Sequence, residues 1–253
     1  MWSPTIPTAS KSKLYYLVHM QVVFDHSEAV ASNITTFYFK PEKPVDYTAG
    51  QFVEWTLRHA NPDDRGIKRW FTISSPPTSE LISLTTKFAG KNGSSFKKAL
   101  HKLKPGAELT ISDAMGDFVL PKLIQTPLLF VAGGIGITPF HSILSWLADT
   151  DEERPIKLLH GVHTEDEIIF QDTFDKAAQH ATIVVSEPSA AWGGERGRLT
   201  AELILGLEQP SENTLIYVSG PEPMVEQLQK DLLKAGIKKY QLVLDSFPNY
   251  TEV

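Results

Sequence analysis

The sequence predicts a two-domain chain, an N-terminal antiparallel β-barrel followed by a C-terminal α/β domain with an open parallel sheet. Three observations carry that expectation. The first half consists of short β-branched or aromatic runs separated by turns. Near Pro121–Pro127 the rhythm changes to apolar strands alternating with helical patterns. The length of 253 residues exceeds a typical single domain and suits two of roughly 120 each. The expected division is residues 1–123 for the barrel, with a loose polar tail at its start, and 124–253 for the α/β domain.

In the barrel half, strands are expected at Leu14–Phe24, Ile34–Phe39, Gln51–Leu57, Trp70–Ser74, Leu81–Phe88 and Glu108–Ile111. Gly50 and Pro105–Gly106 supply turns. One helix, Ser95–Leu103, places Phe96, Leu100 and Leu103 on a common face with serines ahead of it as caps. In the second half, Pro127–Ala132 is a continuous apolar run leading into Gly133–Gly134–Ile135–Gly136. A helix from Pro139 to about Ala148 follows, with Thr138 expected as its N-cap and Pro139 at its first position. Further strands are expected at Ile156–Val162, Thr182–Val185, Leu215–Val218 and Tyr240–Leu244, and a helix at Pro223–Ala235.

Composition removes several function classes. The net charge of −6 opposes non-specific nucleic-acid binding. Cysteine is absent, which excludes disulfides, thiol catalysis and a cysteine-ligated iron–sulfur cluster within this sequence. The eight histidines form no ligand pair such as HExxH, so no metal site is expected. No apolar run reaches the roughly 18–20 residues of a transmembrane helix. Met1–Ser12 lacks the apolar core of a signal peptide, which places the protein in the cytoplasm.

Three segments can carry chemistry. The first is Gly134–x–Gly136–x–x–Pro139, where a buried strand feeds a glycine turn and a helix start. Backbone N–H groups then converge with little side-chain bulk between them, which suits a pyrophosphate; a plain tight turn has the same pattern. The second is Arg69–Trp70–Phe71–Thr72–Ile73–Ser74–Ser75. Strand alternation puts Arg69 and Phe71 on one side, so a cation, a ring and hydroxyls meet at one strand end. They fit a phosphorylated planar ligand, or simply a barrel strand with a surface arginine. The third, Ser219–Gly220–Pro221, ends an expected strand, where open α/β sheets bind ligands.

Taken in order, with Tyr47–Thr48–Ala49–Gly50–Gln51–Phe52 ahead of them and Phe247 near the end, these segments resemble the ferredoxin–NADP reductase superfamily over nearly the whole chain. The resemblance implies a barrel that binds FAD, less favourably FMN, and a second domain that binds NADH or NADPH. A hydride passes from nicotinamide to flavin N5, and the electrons go on to an acceptor protein or small molecule that the sequence does not name. Carried over by position, Arg69 is expected at the flavin phosphate, with Trp70 beside it, Phe71 on the isoalloxazine or ribityl, and Thr72 near N5. Ser94 and Ser95 match the segment that holds the flavin pyrophosphate at a helix start. Gly133, Gly134, Gly136 and Thr138 match the coenzyme pyrophosphate loop. Ser219, Gly220 and Pro221 fall beside the nicotinamide, and Asp245 and Phe247 close to the flavin. Asp245 is read as a proton donor or as an exposed terminal carboxylate. Two residues depart from the family: Phe71 stands where tyrosine is usual, and Ser219 where many relatives have cysteine. The competing class is a flavin- or nucleotide-binding sensor without useful turnover. Coenzyme choice is expected to fall on His160–Gly161–Val162–His163–Thr164 and Val185–Ser186–Glu187, where Glu187 repels a 2′-phosphate. NADH is therefore expected to serve at least as well as NADPH, unless Arg196 and Arg198 reach in.

Overall fold

The computed structural model describes residues 19–88, 93–178 and 180–247. The polar tail and Leu14–Val18 of the first expected strand lie outside them. Two six-stranded sheets organise the chain. The first contains β1 (Met20–Ala31), β2 (Ile34–Pro41), β3 (Phe52–Thr56), β4 (Lys68–Thr72), β5 (Ile82–Lys87) and β6 (Glu108–Ile111), in the order β4-β3-β6-β1-β2-β5. Its ladders are antiparallel. The outer strands meet: the Ser74 N–H donates to the Ser83 carbonyl at 2.9 Å, and the Ser74 hydroxyl lies 2.9 Å from those of Ser83 and Thr85. That contact curls the sheet into a barrel, whose interior is filled by residues such as Phe24, Phe37, Phe39, Trp55 and Leu84. Helix α1 (Ser95–Leu100) inserts Phe96 and Leu100 into the same core. It is shorter than its expected extent to Leu103, because His101 caps it and a turn follows.

The second sheet follows the expected alternation. Its elements are β7 (Leu128–Gly133), α2 (Thr138–Asp149), β8 (Ile156–Val162), α3 (Gln171–Ala177), β9 (His180–Val185), β10 (Glu195–Arg196), α4 (Ala201–Leu207), β11 (Leu215–Pro221), α5 (Glu222–Lys234) and β12 (Leu242–Phe247). The strands are parallel in the order β10-β9-β8-β7-β11-β12. Leu128, Phe130 and Ala132 of β7 pack into one apolar layer and Leu129 and Val131 into another, so both faces of the strand are buried. This explains why β7 reads as an unbroken apolar run. The chain reverses its direction of travel between β7 and β11, the position where open α/β sheets form their ligand crevice.

Two local expectations are corrected. Thr138 is not an N-cap: a 3-10 turn over Gly134–Ile137 runs directly into α2, and the Thr138 hydroxyl donates to the Ile135 carbonyl at 3.1 Å. The last strand begins at Leu242 rather than Tyr240, because Lys239–Gln241 forms a 3-10 turn that leaves Tyr240 exposed. Asp245 and Phe247 thereby become strand residues.

The barrel and the α/β part share an apolar layer, where Ile34, Ala49 and Phe118 pack with Phe140 and Tyr217, and polar contacts border it. Ser142 of α2 donates to the Ser75 carbonyl at 2.6 Å, Tyr217 to that of Val119 at 2.7 Å, and Arg154 to that of Pro121 at 2.7 Å. At the rim, Lys87 pairs with Glu167 at 2.6 Å.

Candidate cofactor and coenzyme site

In the barrel, strand alternation places Arg69 and Phe71 on one side, as expected. The Arg69 guanidinium lies 5.5 Å from the Phe96 ring centre, and the Phe71 and Phe96 rings are 5.9 Å apart. Trp70 points the other way, half-exposed and edge-on to Phe52. Arg69 and the first turn of α1 converge on an anion, and the chain supplies it. The Asp63 carboxylate accepts from Arg69 Nη2 at 2.9 Å and from the Ser95 N–H at 2.8 Å. The Ser95 N–H is the strongest cause holding its pKa well below the usual carboxylate range, burial opposes it, and the Arg65 guanidinium at 3.1 Å adds to the lowering. The other guanidinium nitrogen of Arg69 donates to the carbonyls of Arg65, Gly66 and Lys68. Ser94 and Ser95 are engaged too. Ser94 caps α1 by accepting from the Lys97 N–H, and the Ser95 hydroxyl accepts from the Asp63 N–H at 2.8 Å. Thr72 is buried at the end of β4, opposite Phe52.

At the carboxyl ends of the parallel strands lies a cleft of about 620 Å³, open to solvent and lined by Gly133, Gly134, Ile135, His163, Ser186, Arg198 and Pro221 among others. Gly134 has φ +51°, and a Cβ built there meets nothing within 4 Å, so its backbone faces open space. Gly136 has a different task. A Cβ there would stand 2.3 Å from the Ser219 carbonyl oxygen and 2.6 Å from the Gly220 Cα. It lets the turn press against β11. Gly133 and Gly220 lie beneath the Met224 side chain, which covers both.

Ser219 is fully buried inside β11, flanked in register by Ala132 and Asp245. Its hydroxyl donates to Asp245 at 3.1 Å. Burial pushes the Asp245 carboxyl up to about 6, and the Ser219 bond opposes that shift. The exposed-carboxylate reading of Asp245 is thus corrected. Phe247 pairs with Pro221 in register and packs against the core beneath α2.

The two segments expected to govern coenzyme choice meet through His163, and His160 stands apart from them. His163 lies in the cleft, 3.1 Å from the Ser186 hydroxyl and 3.4 Å from Glu187. Arg198 lines the same cleft, whereas Arg196 is turned onto the carbonyls of Ser189 and Trp192. His160 does not line the cleft but is fully buried, with Nε2 3.0 Å from the Gly134 carbonyl. Sequence reasoning missed Asp63, Lys87 and Met224, which the fold brings to the site. Asp63 left a faint signal, an acidic turn six residues ahead of Arg69; Lys87 and Met224 left none.

The oxidoreductase NAD-binding domain family matches residues 130–230. The chain is 29% identical to the NADH oxidoreductase HCR of Escherichia coli over 195 residues, 77% of this chain and 58% of that protein. It is 28% identical to a flavohemoprotein of Xylella fastidiosa, covering 86% of this chain and 56% of the relative. The chain therefore spans little more than half the length of these relatives. The fold matches a ferredoxin NADP+ reductase from Neisseria gonorrhoeae at a TM-score of 0.76 and 20% identity, over 90% of this chain and 99% of that one. A curled antiparallel sheet followed by a parallel sheet with a glycine turn at its switch point gives the chain the two-domain fold of that reductase, and residues 130–230 match the oxidoreductase NAD-binding domain family.

Proposed function

We propose that this chain is an NAD(P)H-dependent flavoprotein reductase, dividing at residues 123/124 into a flavin-binding and a coenzyme-binding part. The observation that carries the reading is the open glycine turn at the switch point of the parallel sheet, with the Arg69–α1 cradle on the facing barrel. The Asp63 carboxylate bound by Arg69 and the Ser95 N–H supports a preference of this cradle for anions. Arg69 and the N–H groups at the start of α1 would hold the flavin phosphates, FAD in preference to FMN, and Phe71 would offer a ring to the flavin. Gly134 and Ile135 would present backbone to the coenzyme pyrophosphate. Thr72, Ser219 and Asp245 would face the reacting rings, with Asp245 able to hold a proton near neutral pH because of its raised pKa. When bound, flavin supplies acceptance of a hydride and release of electrons to an acceptor. That acceptor is a redox protein or small molecule of unassigned identity. Glu187 beside His163 supports NADH as a coenzyme at least as good as NADPH. We place its work in the cytoplasm, where a reductase of this kind draws on the pool of nicotinamide coenzyme.

The test is the visible spectrum of the purified protein, followed by anaerobic addition of NADH or NADPH. A yellow protein whose flavin absorbance bleaches on mixing is expected. A colourless protein that takes up neither FAD nor FMN defeats the reading. A flavin that stays oxidised under excess coenzyme assigns the chain to the sensor class.

A further inference from the structure

We infer that His160 is a positioning residue for the coenzyme pyrophosphate: its Nε2–H holds the Gly134 carbonyl and so fixes the peptide plane of the glycine turn. The inference rests on the reading of the cleft as the coenzyme site. His160 sits within β8, opposite Ala132 of β7 and Ile183 of β9, with no exposed surface. Its Nε2 lies 3.0 Å from the Gly134 carbonyl oxygen, and its Nδ1 is buried without a hydrogen-bond partner. A carbonyl only accepts, so Nε2 carries the proton and donates. Burial lowers the imidazole to about pKa 4, against the bond to Gly134 and the charge of Glu167, so the ring is neutral and Nδ1 is a bare lone pair.

An orphaned nitrogen at a buried strand position costs stability, and an aliphatic side chain would remove that cost while also stripping the Gly134 carbonyl of this donor. What the imidazole adds to the packing of Gly136 on β11 and of Met224 over Gly133 is a bond to the peptide that follows Gly134. Gly133, Gly134 and Gly136 carry no side chains, and Gly134 holds the left-handed φ of +51°. In a trans peptide the C=O and N–H point in opposite directions. Directing the Gly134 carbonyl inward to His160 therefore turns the Ile135 N–H away from it, toward the side of the turn that lines the cleft. The donors of the turn are aimed before ligand arrives.

The experiment pairs His160→Leu with His160→Gln and measures two quantities on the purified flavoprotein: thermal midpoint, and NAD⁺ affinity by calorimetry. His160→Leu removes the donor and the orphaned nitrogen together. Its midpoint should stay near that of wild type, the lost bond and the removed orphan offsetting one another, while NAD⁺ binding weakens about tenfold, the equivalent of one lost hydrogen bond. His160→Gln restores a donor and should recover most of the affinity. Unchanged NAD⁺ affinity in His160→Leu overturns the inference, as does a parallel loss of stability and affinity that glutamine does not repair. A wild-type protein that holds flavin but binds no NAD⁺ defeats the reading of the cleft itself, and the inference with it.

Discussion

In the barrel, Arg69 and the start of α1 close on the Asp63 carboxylate, 2.9 and 2.8 Å away, whereas at the end of β7 the Gly134 backbone faces empty space. Both places use the same chemistry, N–H groups at a helical turn that favour negative charge. They differ in what satisfies it. The barrel cradle is occupied by the chain's own anion and keeps its shape through that contact. The glycine turn is satisfied from behind, through the Gly134 carbonyl, and leaves its front free. A phosphate reaching the barrel must share Arg69 with Asp63; a pyrophosphate reaching the turn meets bare backbone.

The largest expected effect separates the two glycines of the turn. Gly136→Val drives a side chain into the Ser219–Gly220 backbone and should cost about 3 kcal/mol or more, read as a fall in thermal midpoint or loss of soluble protein. Gly134→Ala meets only the left-handed φ, about 1–2 kcal/mol, and should fold. Equal stability of the two variants would dissolve the distinction between a packing glycine and an open one.

Next comes the barrel cradle. Arg69→Ala should weaken FAD by about 1.5–3 kcal/mol, at least tenfold in the dissociation constant measured by flavin fluorescence. Asp63→Asn should move the same constant the other way by a smaller factor, about threefold, since both partners are partly exposed. If Asp63→Asn loses flavin as Arg69→Ala does, the carboxylate builds the cradle rather than competing for it.

Asp245 tests the floor beneath the glycine turn. Its folded pKa of about 6 lies above the ordinary carboxylate value near 4, so the folded protein binds more protons than the unfolded chain between those pH values. Its contribution to stability is intact below pH 4, falls as pH rises to about 6, and stays low above that. Asp245→Asn should therefore be more stable than wild type at pH 8, by about 2 kcal/mol, and indistinguishable at pH 4 in urea titrations. A gain that is the same at both pH values would mean Asp245 is not desolvated.

The smallest effect concerns the cleft rim. Glu187→Arg should raise the ratio of kcat/KM for NADPH over NADH about fivefold, modest because Glu187 is largely exposed. An unchanged ratio would remove Glu187 from the ribose environment.

Periodicity made the fold legible where one physical term dominates. β7 reads as a strand because both of its faces are buried, and α2 as a helix because Phe140, Ile143, Leu144 and Leu147 share a face. Boundaries were less legible where competing hydrogen bonds decide them. Thr138 has the composition of a cap, yet the 3-10 turn ahead of it already leads into the helix, and its hydroxyl bonds backward. The convergence of Arg69, Phe71 and the serines of α1 was readable from alternation and order. That Asp63 fills the space between them was not, because a loop carboxylate six residues away carries no period. His160 was misread for a related reason: sequence places it beside the cleft-lining His163, and only the pleat of β8 shows that it is buried away from the cleft.

The seam between barrel and α/β part has an asymmetry of its own. At its buried centre the donors are side chains of Ser142, Tyr217 and Arg154, all in the second half, and the acceptors are main-chain carbonyls of Ser75, Val119 and Pro121. A carbonyl survives any substitution at its own position. At these three bonds the barrel can change its own side chains without losing an acceptor, whereas Lys87, Ser32 and the apolar Ile34, Ala49 and Phe118 still engage the second half from the barrel side. Side-chain drift in the barrel is therefore tolerated at the buried centre of the joint and resisted at its rim and in its apolar layer.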